Sequence, residues 1–402
     1  MINALRGMKD MISPQSEVYL HIIKTCTKIA ENYGFSFIET PILEETALFK
    51  RSVGESSDIV GKEMYQFRDK GDNDVCLRPE GTAGVVRSFI QEKSDKAGGT
   101  KRFFYHGPMF RYERPQKGRL RQFHQFGVEA FGESNVKEDA TVILMLKAMF
   151  DALGIGYTLE INSLGCPECM PAYRTKLVSV LESVDGLCED CERRKLTNPI
   201  RVLDCKNEHC KTLLQKAPLI VDHLCHSCHD DFETLKSLLR TFDMHFNVNP
   251  KLVRGLDYYS KTAFEFVSSE IGAQSAIAGG GRYDRLVEFL DGKPTPGIGF
   301  AMGIERLMDL VKMPEVKREG YYIAALCDEA LESVYKLTNA KRQSEKVYTS
   351  YDAKALMKQL KMADKLNAEY CACIGEDELK NGTVWVKNLE TKEEKIISIE
   401  NF

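Results

Sequence analysis

The 402 residues are 43% hydrophobic and 28% charged, with 55 basic against 59 acidic side chains and a formal charge of −4. At about 100–200 residues per domain the length predicts two to four domains, and the composition excludes fibrous and disordered classes. No run approaches the roughly 18 apolar residues of a membrane span, and Met1 to Lys9 lacks the apolar stretch of an export signal, so a cytoplasmic protein without a membrane partner is expected.

Ser13-Pro14 reads as a helix start, with serine as cap and proline at the first helical position. Val18, Ile22, Cys26, Ile29 and Tyr33 then recur at helical spacing until Gly34. Phe35 to Glu39 reads as a strand running into Thr40-Pro41. Strands are also expected from Arg102 to Arg111 and from Gln122 to Phe131, antiparallel about a polar, basic loop. Asp139 to Leu153 is apolar enough for a buried helix, which Gly154 ends. The stretch from Ser163 to Phe246 holds eight of the thirteen cysteines among short helical patterns. Beyond Asn247, a strand from Ala263 to Val267 leads into glycine-rich turns at Gly279-Gly280-Gly281 and Gly297-Ile298-Gly299. The charged segment Lys312 to Gly320, with Pro314, reads as a linker. Tyr321 to Leu326, Lys346 to Ser350 and Tyr370 to Ile374 are expected strands of a small α/β domain.

The period of two divides the Gln122–Phe131 strand into faces. Phe126, Val128 and Ala130 point one way as core. Gln125, Gly127 and Glu129 point the other, offering an amide and a carboxylate about a gap that a ligand could enter; a solvent-exposed sheet face is the plainer reading of this strand alone. Between Lys101 and Arg121, seven basic residues (Lys101, Arg102, Arg111, Arg114, Lys117, Arg119, Arg121) face Glu113 alone. Such an excess in an acidic chain suits a polyanion, nucleotide or nucleic acid, and guanidinium forks suit phosphate. Arg254-Gly255-Leu256-Asp257-Tyr258-Tyr259 places an arginine and two tyrosines on one turn. Ala278 to Asp284 allows close backbone approach to a ligand, though a tight hairpin explains its glycines equally well.

Together these segments resemble histidyl-tRNA synthetase, a class II aminoacyl-tRNA synthetase family, over essentially the whole chain. Leu5 to Asp10 (LRGMKD) resembles its opening, and Pro41 its first class-defining motif. Phe110 to Arg119 with Gln122 to Gln125 resembles the second motif, and Gly297 to Leu307 (GIGFAMGIERL) the third. Leu252 to Tyr259 and Ala278 to Asp284 resemble histidine-specific signatures that other class II enzymes lack. Arg285 stands where a small residue is usual.

The resemblance implies an α+β fold. Its parts are an antiparallel catalytic sheet flanked by helices (1–162 and 247–314), a helical cysteine-rich insertion (163–246) and an α/β anticodon-binding domain (320–402). It implies activation of histidine by ATP, with Mg²⁺, to histidyl-adenylate and pyrophosphate, then transfer to the 3′ end of the histidine tRNA, in a homodimer. By similarity Arg254 is the principal catalytic residue and Arg111 holds the α-phosphate. Arg119 and Arg306 hold the outer phosphates, Glu113 reads the adenine amino group, and Phe123 stacks on the base. Glu80, Thr82 and Gln125 grip the α-amino group, and Glu129 and Tyr259, with Tyr258, form the imidazole pocket. A non-aminoacylating regulatory subunit of histidine biosynthesis is the nearest alternative, but such paralogues typically lose the catalytic arginines and the C-terminal domain. A class II synthetase for another amino acid is opposed by the two signatures. The C-terminal domain is slightly acidic, so tRNA contact there needs local or base-specific contacts.

Cys166/Cys169, Cys188/Cys191 and Cys225/Cys228 are CxxC pairs, and Cys205/Cys210 is a looser fourth. Eight thiols could make one or two four-thiolate zinc sites in a reducing compartment; buried thiols packing as small hydrophobes are the alternative. Such cysteines are not universal in the family's insertion, which implies that the chemistry itself does not run through them.

Overall fold

The computed structural model describes residues 2–54, 57–116, 118–205, 207–271, 276–313 and 317–402. Lys117 of the basic loop and Pro314 of the linker lie outside them. The chain forms two compact units, Met1–Lys312 and Met313–Phe402.

The first unit is built on an eight-stranded sheet. Its spatial order is Ser36–Phe37, Lys101–Phe110, Gln122–Phe131, Gly297–Gly303, Ala276–Arg282, Ser260–Val267, Thr158–Ser163 and Phe246–Val248. The six inner strands are mutually antiparallel, and only the two short edge strands pair in parallel. The alternation expected for Gln122–Phe131 holds: Phe126, Val128 and Ala130 enter a core shared with helices Gln15–Asn32 and Val136–Leu153.

The second of these helices starts three residues before Asp139, because the Asn135 side chain caps it by accepting the Lys137 N–H at 3.0 Å. Gly154 ends it at φ +66°. At the first helix the expected serine cap does not form. Ser13 Oγ donates to the Glu17 carboxylate (2.7 Å), and Pro14 occupies the cap position in a helical conformation. A hydroxyl bonded to a charged acceptor in the first turn makes a stronger bond than it would as a cap.

The two glycine runs are not turns but strand interiors. Register places Gly279 opposite both Glu265 and Ala301, and Gly299 opposite both Glu129 and Gly281. The missing side chains make room on the face away from the core. A Cβ on Gly279 would lie 2.4 Å from both terminal nitrogens of Arg254, and one on Gly299 would lie 2.0 Å from Glu129 Oε2. Glycine here clears the sheet for the side chains of Arg254 and Glu129.

A separate sheet, Leu43–Glu45, Asp74–Leu77 and Tyr65–Arg68, delivers Arg78-Pro79-Glu80 to the start of helix Thr82–Gln91. Arg78 fixes that corner by donating to the carbonyls of Thr40 (2.8 Å) and Pro108 (3.0 Å). The cysteine-rich stretch belongs to the first unit. Helices Met170–Glu182, Glu189–Thr197, Glu208–Leu213 and His226–Thr241 run through it, and Tyr173, Leu177, Leu181 and Val202 form a small core with buried thiols.

The second unit holds a five-stranded sheet in the order Val347–Thr349, Tyr321–Ala325, Tyr370–Ile374, Thr383–Asn388 and Glu394–Ser398. The three expected strands are its parallel part. The last two form an antiparallel hairpin that sequence reading leaves out, since the polar Glu394 and Lys395 blur the alternation of the outer strand.

Candidate active site

A cavity opens on the glycine-cleared face of the large sheet. Arg111, Arg119, Arg254 and Arg306 all line it, although up to 195 positions separate them in the chain. Glu80, Thr82, Glu113, Phe123, Gln125, Tyr258 and Tyr259 line it as well. Of the residues expected at the site, Glu129 alone is not in the wall.

Three guanidinium groups converge in this cavity. Arg111 donates to the Pro79 carbonyl (2.9 Å) and lies over the Phe123 ring, 5.3 Å from its centre. Arg306 is tied to the carbonyls of Gly118 (3.2 Å) and Ala276 (2.6 Å), and Arg119 pairs with Glu113 at 3.0 Å. Burial, followed by the charges of Arg119 and Arg111, pulls the Arg306 guanidinium below its ordinary value. A folded protein gathers like charges in this way when a multiply charged anion relieves them.

Two other members of the basic run, Arg102 and Arg121, are engaged elsewhere. Arg102, counted towards the polyanion site, makes a two-pronged ion pair with Glu138 (2.7 Å each). Arg121 stacks on Tyr112 at 3.8 Å.

The cavity is also lined by polar groups that lack partners among the described residues. Arg254 Nη1 meets Glu265 Oε1 at 2.8 Å, but its buried Nε has no acceptor among the described residues. Burial alone would lower the Arg254 pKa; Tyr259 and Glu265 outweigh it and raise the value, so the group stays charged. Gln125 Oε1 and the Tyr258 hydroxyl are also buried without partners among the described residues. Buried donors and acceptors of this kind suit a polar ligand.

Glu80 accepts the N–H groups of Thr82 (2.7 Å) and Ala83 (3.0 Å), so its carboxylate also opens the helix that follows. Glu129, expected to touch a ligand directly, lies beneath the wall at 1% exposure. It accepts from Thr82 Oγ1 (2.7 Å) and Tyr105 OH (3.4 Å), and from Tyr283 OH. Burial pushes its carboxyl up to about 8 despite the bonds from Tyr283 and Thr82.

Tyr105 and Tyr283, which hold Glu129 beneath the wall, and Glu265, in the wall itself, are residues that sequence reading misses. A signal exists for the first: Gly127 pairs with Tyr105 across the strands, and a Cβ there would lie 2.4 Å from its hydroxyl. A glycine in the middle of an alternating strand marks a large neighbour.

The cysteines gather into two groups of four, Cys166, Cys169, Cys225, Cys228 and Cys188, Cys191, Cys205, Cys210. Within each, every sulfur lies within 4.8 Å of the others. Sulfurs about 2.3 Å from a tetrahedral zinc ion stand about 3.8 Å apart. Cys166–Cys169 (3.7 Å), Cys166–Cys225 (3.8 Å) and Cys188–Cys205 (3.8 Å) match that edge. Backbone N–H groups of Cys188 and Cys225 point at Cys210 Sγ (3.2 Å) and Cys169 Sγ (3.1 Å), the kind of bond that favours thiolate.

The family model described as Histidyl-tRNA synthetase matches residues 7–307, and that described as Anticodon binding domain matches 319–402. The chain belongs to the histidyl-tRNA synthetase family. It is 65% identical to the histidine–tRNA ligase of Sulfurimonas denitrificans over 403 residues, covering all of both chains. It is 63% identical to that of Sulfurovum sp., covering 99% of each. The apo histidyl-tRNA synthetase of S. aureus superposes with a TM-score of 0.84 at 35% identity, over 100% of this chain and 98% of that one. Histidyl-tRNA synthetase architecture thus accounts for both units, and no helix of the described residues is long and apolar enough to cross a membrane.

Proposed function

We propose that the cavity binds ATP at its converging arginines and histidine among its buried polar groups. The chain is an ATP-dependent histidine–tRNA ligase, not a regulatory subunit that binds without aminoacylating. The observation that carries the site reading is the convergence of Arg111, Arg119 and Arg306 on one cavity whose lining also holds Arg254 and buried polar groups without partners among the described residues.

In the first step the histidine carboxylate attacks the α-phosphate and pyrophosphate leaves. Anion attacks anion, so fixed positive charge along the line of transfer supplies most of the acceleration. Arg111 holds the α-phosphate, Arg119 and Arg306 the β- and γ-phosphates, and Mg²⁺ travels with the nucleotide and neutralises the remaining charge. Glu113 accepts from the adenine amino group once Arg119 turns to phosphate, and Phe123, already under the Arg111 guanidinium, stacks on the base. Arg254 bridges the carboxylate and the α-phosphate, using the Nε that has no acceptor among the described residues.

Gln125, Thr82 and the free lone pairs of Glu80 take the α-ammonium group. Tyr258, Tyr259 and Glu129 select the imidazole, with Glu129 reaching it as the hydroxyls of Thr82 and Tyr283 rearrange. A pocket that must hydrogen-bond two ring nitrogens rejects apolar amino acids, because they leave its buried groups unpaired. In the second step a ribose hydroxyl at the 3′ end of the histidine tRNA takes the acyl group, while residues 320–402 engage the anticodon. ATP–pyrophosphate exchange across the twenty amino acids tests this: exchange with histidine alone is expected, and a preference for another amino acid overturns it.

Segment 163–246 is read as an insertion between the catalytic halves 1–162 and 247–314, and each of its four-cysteine groups as a zinc site. The sulfur spacing and the N–H groups aimed at sulfur support that reading. Two zinc ions per chain in protein purified without chelator are the expected result, and metal-free active enzyme overturns it. Membership of the family supports a reading of function in the cytoplasm as a homodimer. The exposed Phe37, Ile42 and Leu43 offer apolar surface beside Pro41 for such an interface, and a monomer by light scattering would exclude it.

A further inference from the structure

The two cysteine groups differ in what they are attached to. In the group of Cys188, Cys191, Cys205 and Cys210, Cys188 and Cys205 bracket a segment of helix and tight turn, Glu189–Thr197 and Pro199–Asp204, and Cys191 lies within its helix. Four side chains of that segment leave it and grip the catalytic part of the unit. Arg193 and Arg194 hold the two oxygens of Asp58, at 2.6 and 2.8 Å. Asn198 Nδ2 donates to Asp257 Oδ1 (2.7 Å), and Arg201 Nη1 to the Gly255 carbonyl (2.8 Å).

Both ends of this grip lead to the active site. Gly255 and Asp257 lie between Arg254 and Tyr258 on the turn that lines the cavity. Asp58 opens a π-helical turn, Ile59–Glu63, and the Glu63 carbonyl accepts the N–H of Tyr112, next to Arg111, at 2.6 Å. The gripping segment has little else to hold its shape. Of its residues only Cys191, Pro199, Val202, Leu203 and Cys205 are buried, and two of those are thiols of the group itself. A core this thin needs a staple, and a metal closing the 191–205 loop is one.

We propose that metal at Cys188, Cys191, Cys205 and Cys210 works as a strut for the catalytic turn. By fixing the 191–205 loop, the ion holds Arg201 and Asn198 against Gly255 and Asp257 and so keeps Arg254 in register with the α-phosphate. The inference rests on the zinc reading given above and deepens it. Arg201 and Asn198 are positioning residues, since they touch the turn and not the substrate.

The test measures metal content, hydrogen–deuterium exchange over residues 250–259, and steady-state pyrophosphate exchange on the full-length protein. Cys205→Ser is expected to lose one of two zinc ions, to exchange faster over 250–259, and to lose about tenfold in kcat. ATP KM should change little. Arg201→Ala, which leaves every cysteine in place, is expected to keep both ions yet show the same faster exchange and lower kcat; Arg201→Lys should recover part of each. This second variant decides the matter where Cys205→Ser fails to fold.

Two ions in the wild type, with Arg201→Ala exchanging over 250–259 as the wild type does, overturns the strut and leaves the zinc reading standing. Zinc-free active wild type overturns the zinc reading, and with it the dependence of the strut on metal.

Discussion

Arg254 and Glu265 meet at 2.8 Å at the edge of the cavity, on a sheet row where Gly279 has no side chain to separate them. The carboxylate holds one terminal nitrogen and leaves Nε for the ligand. Arg254→Ala should therefore reduce adenylate formation by two to three orders of magnitude, about 3–4 kcal/mol of transition-state stabilisation. Arg254→Lys keeps the charge but loses the planar fork, and should recover only a small part. Pyrophosphate exchange at saturating histidine checks both, and near wild-type kcat in Arg254→Ala would remove the assignment.

Arg306 is drawn down by burial and by its two neighbouring guanidiniums. Arg306→Ala should raise the KM for ATP by about tenfold or more while sparing that for histidine, since a charge-assisted contact to phosphate is worth roughly 1.5–3 kcal/mol. Substrate-dependence curves for each ligand separate the two effects.

Glu129 holds its proton up to about 8, against an ordinary value of 4.5. The unfolded chain gives up that proton near 4.5, so between the two values unfolding releases it and stability falls as pH rises. The ligand-free wild type should lose a few kcal/mol across this window, at about 1.4 kcal/mol for each pH unit. Glu129→Gln should lack that slope. Chemical denaturation at a series of pH values, wild type against variant, measures the difference, and parallel curves would refute it.

Gly299→Ala sets a methyl group 2.0 Å from Glu129 Oε2 and 2.3 Å from the Val128 carbonyl. The second of these contacts is backbone, so the strands themselves must shift to relieve it. We expect a loss of about 1–3 kcal/mol and a raised histidine KM as Glu129 is displaced. A variant with wild-type melting temperature and histidine KM would show that the clearance is unnecessary.

Arg282 and Asp139 form an ion pair at 2.6 Å, each only 1% exposed, with the Arg282 guanidinium also bonded to the carbonyls of Glu133 and Asn135. Arg282→Met leaves a buried carboxylate uncompensated and should cost about 3–5 kcal/mol. Arg282→Met with Asp139→Leu should recover much of that, as thermal unfolding will report.

Much of the site is legible in the amino-acid sequence. The two-residue alternation puts Gln125 and Glu129 on the face opposite Phe126 and Val128, and sheet pairing leaves that division intact. The surplus of arginine between residues 101 and 121 points to phosphate, though a count of charges cannot tell Arg111 and Arg119 in the cavity wall from Arg102, which Glu138 engages. The glycine runs read as turns because local composition cannot distinguish a bend from a strand cleared for a neighbour. That neighbour, Arg254 or Glu129, comes from elsewhere in the chain.

The sequence by itself determined the periodicities, the motifs in their order and the supply of thiols, all of which depend on neighbours a few residues apart. Tertiary structure alone decided that Cys166 and Cys169 join Cys225 and Cys228 across nearly sixty residues while the middle four close on one another. It also decided that Glu129 sits beneath the cavity wall, held by the hydroxyls of Thr82, Tyr105 and Tyr283. Burial and partner choice are properties of how distant segments pack, and one-dimensional spacing carries no record of them.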